Sequence, residues 1–106
     1  MASHQGFVDY VVEQLREAGT IRSRKMFGEY GLFCDGVFFA VICDDQLFIK
    51  ITPAGEAAFH HLPKAPPYEG AGDYIWMEDV DDRATMTALT RLTCLELQAQ
   101  PKKRRK

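Results

Sequence analysis

The sequence predicts an α+β fold, an antiparallel sheet with helices in the order α-β-β-β-α-β(β)-α. Three observations predict it. Apolar residues recur at helical spacing near both ends of the chain. Between them, residues 26–51 break into strand-like runs separated by the two-residue turns Asp35-Gly36 and Asp44-Asp45. Strands are grouped rather than alternating strictly with helices, which favours α+β over α/β.

The first helix begins after Ser3, a candidate cap. Phe7, Val8, Val11, Val12 and Leu15 form its apolar stripe, with Asp9, Glu13, Arg16 and Glu17 opposite. Gly19 is a C′ stop. Three strands follow over 26–34, 37–43 and 46–51 as a meander. Thr52-Pro53 pairs a capping side chain with proline at the first helical position, opening a second helix over 53–62. Ala58, Phe59 and Leu62 are its expected apolar contacts, Glu56 suits its dipole, and Gly55 weakens it. Residues 63–73 carry three prolines and two glycines and read as loop or an extended approach to an edge strand. Residues 74–78 (YIWME) read as strand. Asp79, Asp81 and Asp82 supply capping and negative charge to a last helix with a stripe of Ala88, Leu89, Leu92 and Leu95. Pro101 ends it.

Two-residue turns at 35–36 and 44–45 set the expected strand pairing. One face then carries Phe33, Phe38, Ala40, Ile42, Leu47, Ile49 and Ile51. The other carries Tyr30, Leu32, Cys34, Phe39, Val41, Cys43, Phe48 and Lys50. An antiparallel sheet with one solvated face shows one polar side. Here both are apolar, so the second must be covered by this chain or by another molecule.

The chain has 106 residues, enough for one domain over 1–100, followed by a disordered basic tail at 101–106. Its net charge of −2 averages two unlike parts. Of 13 basic residues, five are Lys102, Lys103, Arg104, Arg105 and Lys106; the remaining 8 face 15 acidic residues, so 1–101 carries −7. No apolar run reaches membrane-spanning length, and no secretory leader is recognised. Cys34, Cys43 and Cys94 are odd in number and lack C-x-x-C spacing, which argues for reduced thiols and a cytoplasmic location. Phosphate-loop, dinucleotide, G-x-S-x-G and H-E-x-x-H motifs do not occur.

Arg24-Lys25-Met26-Phe27-Gly28-Glu29-Tyr30-Gly31-Leu32-Phe33 resembles the opening motif of the TfoX/Sxy family's N-terminal domain. Asp35-Gly36, the run Val41 to Lys50 and Thr52-x-Ala54-Gly55 continue the likeness. So do Ala65-Pro66-Pro67-Tyr68, Gly70-Ala71 and Leu89-x-x-Leu92-Thr93. The likeness covers nearly the whole chain and is greatest to short stand-alone members with a Lys/Arg-rich end. It implies a secretion-chaperone-like fold that often forms homodimers. It also implies a non-enzymatic bacterial regulator of competence genes, acting through protein partners such as an activator or the transcription machinery. Full-length members carry a second, helical domain for which 106 residues leave no room. The family supplies no catalytic residues. The other expected role is a chaperone-like or adaptor module that binds a protein segment without any part in transcription.

Two basic groups are candidate nucleic-acid contacts. Lys102, Lys103, Arg104, Arg105 and Lys106 can displace counterions without reading sequence, or serve as a solubilising end, or fold back on Glu78, Asp79, Asp81 and Asp82. Arg22 and Arg24 share a strand face and, with Lys25, lie beside Phe27 and Tyr30 in sequence; cations with aromatics can bind phosphates and stack bases. The alternative there is a solvated strand end. Phe39, Val41, Phe48 and Trp76 are candidate interface residues on the surplus apolar face. No metal or cofactor site is expected: His60 and His61 are adjacent on a helix, so their side chains diverge, and the carboxylates sit at turns and caps.

Overall fold

Apolar spacing of three and four residues folds Gln5–Leu15 into helix α1, which buries Val8, Val11 and Leu15. The structure, a computed structural model, describes residues 3–26 and 28–99. His4, not Ser3, holds the N-cap position, and it makes no side-chain cap. Ser3 is drawn away by a distant partner: its hydroxyl accepts the Asp45 N–H at 2.8 Å. A short 3-10 turn, Arg16–Ala18, leads to Gly19 at φ 156°. A Cβ at Gly19 would lie 2.7 Å from the Cys34 sulfur, so only glycine fits this close approach.

The meander has four strands, β1 (Ile21–Met26), β2 (Glu29–Cys34), β3 (Val37–Cys43) and β4 (Gln46–Ile49). The expected first strand over 26–34 is in fact the junction of two. Gly28, at φ 82°, lies in the turn between them. Arg, Ser, Arg and Lys give β1 no apolar signature, as suits the edge of a sheet, where charge discourages further pairing. Both expected hairpin turns form, with positive φ at Asp35, Gly36, Asp44 and Asp45.

The β3–β4 pairing is as expected, from Cys43 opposite Gln46 to Ala40 opposite Ile49. The β2–β3 pairing starts as expected, with Cys34 opposite Val37 and Phe33 opposite Phe38. It then shifts by one residue, so that Leu32 faces Ala40 and Tyr30 faces Ile42. Phe39 is the extra residue of this bulge. The shift exchanges partners between faces: Ala40 and Ile42 join Tyr30, Leu32 and Cys34, while Phe38 stays with Phe33.

Thr52 caps α2 (Pro53–Ala58) by accepting the Gly55 N–H at 3.1 Å. Glu96 accepts the adjacent Ala54 N–H at 2.8 Å. The helix ends sooner than expected, because Phe59 leaves helical geometry at φ −130°. Strands β5 (Lys64–Ala65) and β6 (Tyr74–Met77) complete an antiparallel sheet of order β1-β2-β3-β4-β6-β5.

Helix α3 (Arg83–Ala99) starts where Asp82 accepts the Thr85 N–H at 3.2 Å. Its buried stripe is Met86, Leu89, Thr90, Thr93 and Cys94. Ala88 is exposed and Leu95 is 64% exposed, contrary to the expected stripe. Threonine methyls complete the inward stripe in place of Leu95, so apolarity alone misplaces it by one residue. Arg83 and Arg91 donate to the Glu13 and Glu17 carbonyls at 2.9 and 2.8 Å and hold α3 against α1 and its following turn.

One core lies between the helices and one face of the sheet. Val8, Val11 and Leu15 from α1 and Met86 and Leu89 from α3 meet Leu32, Phe39, Ile42, Leu47, Ile49 and Ile75, all fully buried. Each such Val, Leu, Ile, Phe or Met contributes about 1.5–3 kcal/mol of burial free energy.

Candidate functional site

Strand alternation and the bulge decide what the other face of the sheet presents. Arg22 and Arg24 on β1 alternate with inward residues and point the same way as Phe33 on β2 and Phe38 on β3. Val41, Phe48 and Trp76 align across β3, β4 and β6 on the same face. This face lies opposite the helical layer.

Two rings and three cations form a tract along one side of this face. The Phe33 and Phe38 centroids are 5.4 Å apart. The Arg24 guanidinium lies 5.9 Å from the Phe33 centroid, and the Lys50 ammonium 4.5 Å from that of Phe38. Burial pushes the Lys50 amine below its ordinary value. Among the described residues no carboxylate pairs with Arg22, Arg24 or Lys50.

A groove of about 900 Å³ opens on this face, reaching the β1–β2 and β3–β4 turns. Met26, Phe38, Val41 and Tyr74 contribute its apolar walls, and Pro67 and Tyr68 line it from the β5–β6 loop. Beside it, the Phe48 and Trp76 rings stack 6.4 Å apart. At one end, Glu29 accepts the Ser3 N–H at 3.0 Å and the Asp44 N–H at 2.9 Å. Burial raises the Glu29 carboxyl, but these hydrogen bonds outweigh it and hold it below its ordinary value.

The expected interface group is therefore divided. Val41, Phe48 and Trp76 share the open face, where Phe48 is itself buried, whereas Phe39 is fully buried in the core. The bulge turns Phe39 inward, which corrects its placement with the other three. The expected basic group also separates. Lys25 pairs with Tyr30 and lies over that ring on the core side, away from Arg22 and Arg24. Lys102, Lys103, Arg104, Arg105 and Lys106 lie outside the described residues.

Cys34, Cys43 and Cys94 are free and buried. Burial raises all three thiols, and the Cys34 thiol donates to the Ala18 carbonyl at 3.8 Å. Cys34 and Cys43 lie on opposite faces, not on the shared face expected, because Cys43 lines the groove. Among the described residues no group of three or more His, Cys, Asp or Glu side chains is placed to hold a metal. No described helix is long and apolar enough to cross a membrane. What the open face offers chemically is ring stacking, apolar contact and unpaired positive charge.

Sequence reasoning missed the contribution of Phe33, Phe38 and Lys50 to this surface. The Asp35-Gly36 turn already placed Phe33 opposite Phe38, so that pair was available to it. That Pro67 and Tyr68 line the groove had no local signal.

The family model described as the TfoX N-terminal domain matches residues 13–94. An uncharacterized 12.7 kDa protein in the trpE 5′ region of Spirochaeta aurantia is 35% identical over 107 aligned positions, covering 99% of this chain and 91% of that protein.

Proposed function

Because the chain belongs to the TfoX N-terminal domain family, we propose that it is a small regulatory protein that acts by binding rather than by catalysis. The observation that carries this reading is the groove of about 900 Å³ on the sheet face opposite the helices. Its Phe38, Val41, Tyr68 and Tyr74 lining suits an extended apolar or aromatic segment of a protein partner, an activator or the transcription machinery. Residues 1–100 act as one domain in a cytoplasmic setting, and 101–106 add a cationic end. The tail strengthens contact with nucleic acid through counterion release, without sequence preference. A homodimer through the same face is the competing use of the groove.

The test is affinity capture from the native cell with the native chain and with Val41→Lys. A partner held by the native chain and lost with Val41→Lys supports the reading. Identical capture by both overturns it. Light scattering at twice the chain mass, abolished by Val41→Lys, assigns the face to the dimer instead. Trp76, partly exposed beside the groove and stacked on the buried Phe48, suits the second reading equally well, an adaptor for a protein segment with no transcriptional role. Promoter-level transcript measurements on a deletion strain separate the two.

A further inference from the structure

We propose that the β1–β3 side of the open face is a single-stranded nucleic-acid site, with bases stacked on Phe33 and Phe38 and phosphates paired with Arg22, Arg24 and Lys50. This deepens the nucleic-acid part of the proposed function; it does not depend on the tail, and it shares only Phe38 with the protein-binding groove.

Three observations converge on it. First, charge: the face carries three cations with no carboxylate partner among the described residues, on a chain whose residues 1–101 are strongly acidic. An ammonium half withdrawn from water, as Lys50 is, gains from an arriving anion more than a fully solvated one does. Second, order: a strand laid across the sheet from β1 meets Arg24, Phe33, Phe38 and Lys50 in turn, at 5.9, 5.4 and 4.5 Å. That is a ring pair with a cation at each end, the combination that holds unpaired nucleotides without reading their sequence. Third, shape: Phe33 and Phe38 are only partly buried on this face, and a duplex hides the base faces with which such rings stack. An acidic protein segment would satisfy the cations but leave Phe33 and Phe38 without stacking partners.

Fluorescence anisotropy of a labelled oligothymidylate with the full-length chain tests the proposal. Arg22→Gln/Arg24→Gln, two exposed positions, weakens binding about tenfold and lowers the slope against log salt by about 1.4, at roughly 0.7 per phosphate contact. Phe38→Leu weakens it about tenfold with the slope unchanged. Phe33→Leu serves the same purpose if Phe38→Leu fails to fold. An abasic strand of equal length and a duplex both bind more weakly than the oligothymidylate. A chain with all five tail cations changed to glutamine still shows the loss on Arg22→Gln/Arg24→Gln. Unchanged affinity and slope in the arginine variant overturn the proposal. So does equal binding of the abasic strand, or equal competition by polyglutamate. Loss of partner capture by Val41→Lys is read in a separate assay and bears only on the groove.

Discussion

The Lys50 ammonium sits 4.5 Å from the centroid of the Phe38 ring, although Phe38 lies on β3 and Lys50 just beyond the end of β4. Burial is the sole influence that moves the amine, and it moves it down. The ring offsets part of the lost hydration, worth about 0.5–1 kcal/mol at a partly exposed site. Desolvation of an unpaired ammonium acts against it. Lys50→Met keeps the aliphatic stem over Phe38 and removes the charge. It is expected to raise the thermal midpoint, read by circular dichroism. A lower midpoint would mean that the cation–ring contact outweighs desolvation.

Phe39 and Tyr68 give the sharpest test of the face assignment. Phe39 is fully buried, and Phe39→Ala costs about 3–5 kcal/mol in urea unfolding. Tyr68 is 62% exposed, and Tyr68→Ala changes stability by no more than about 0.5 kcal/mol. Similar costs for the two would contradict the bulge.

Gly31 sits beneath the side chains of the open face. A Cβ there would lie 2.3 Å from the Met26 sulfur and 3.0 Å from a Phe38 ring carbon. Methionine can swing away, whereas the ring is held against Phe33 and Lys50. Gly31→Ala should cost about 1–2 kcal/mol, part of it recovered in Gly31→Ala/Met26→Ala. Simple additivity of the two changes would rule out the contact.

Gly19 combines positive φ with a close approach. Gly19→Ala places a methyl 2.7 Å from the Cys34 sulfur and 2.9 Å from an Asp35 carboxylate oxygen. The expected cost is about 2–3 kcal/mol in equilibrium unfolding. Stability within experimental error of the native chain would show that the turn after α1 relaxes freely.

Glu29 links the chain start to the β3–β4 turn through the Ser3 and Asp44 N–H groups. Its folded carboxyl titrates below its ordinary value of 4.5. Its contribution is therefore complete above that value and is lost as pH falls through the folded one. Glu29→Gln should cost about 1 kcal/mol at neutral pH, the usual charged hydrogen-bond value reduced for partial exposure. The gap to the native chain should close as pH falls below 4.5. A gap independent of pH would assign the effect to packing.

Much of this molecule was legible in short stretches of sequence. Asp35-Gly36 and Asp44-Asp45 adopt the positive φ that two-residue hairpins need. Thr52 caps α2, and Asp82 caps α3. The β3–β4 pairing follows from its turn. Such features depend on backbone preferences and hydrogen bonds only a few residues apart. Edge strand β1 escaped notice because a charged edge carries no apolar alternation. Leu95 lies outside the inward stripe because Thr90 and Thr93, whose polarity hides their inward position, and Cys94 are buried instead.

By itself, then, the sequence determined that a sheet with two apolar faces would form together with amphipathic helices. It did not determine which face the helices would cover. Alternation is silent on that choice when both faces are apolar, and a single inserted residue at Phe39 exchanges them. Only contacts between segments distant in the chain decided it. Leu89 and Met86 share one core with Ile42 and Leu32, leaving Phe38, Val41 and Lys50 on the other side. The core is chosen by the joint burial of remote side chains, and the open face is what that burial leaves behind.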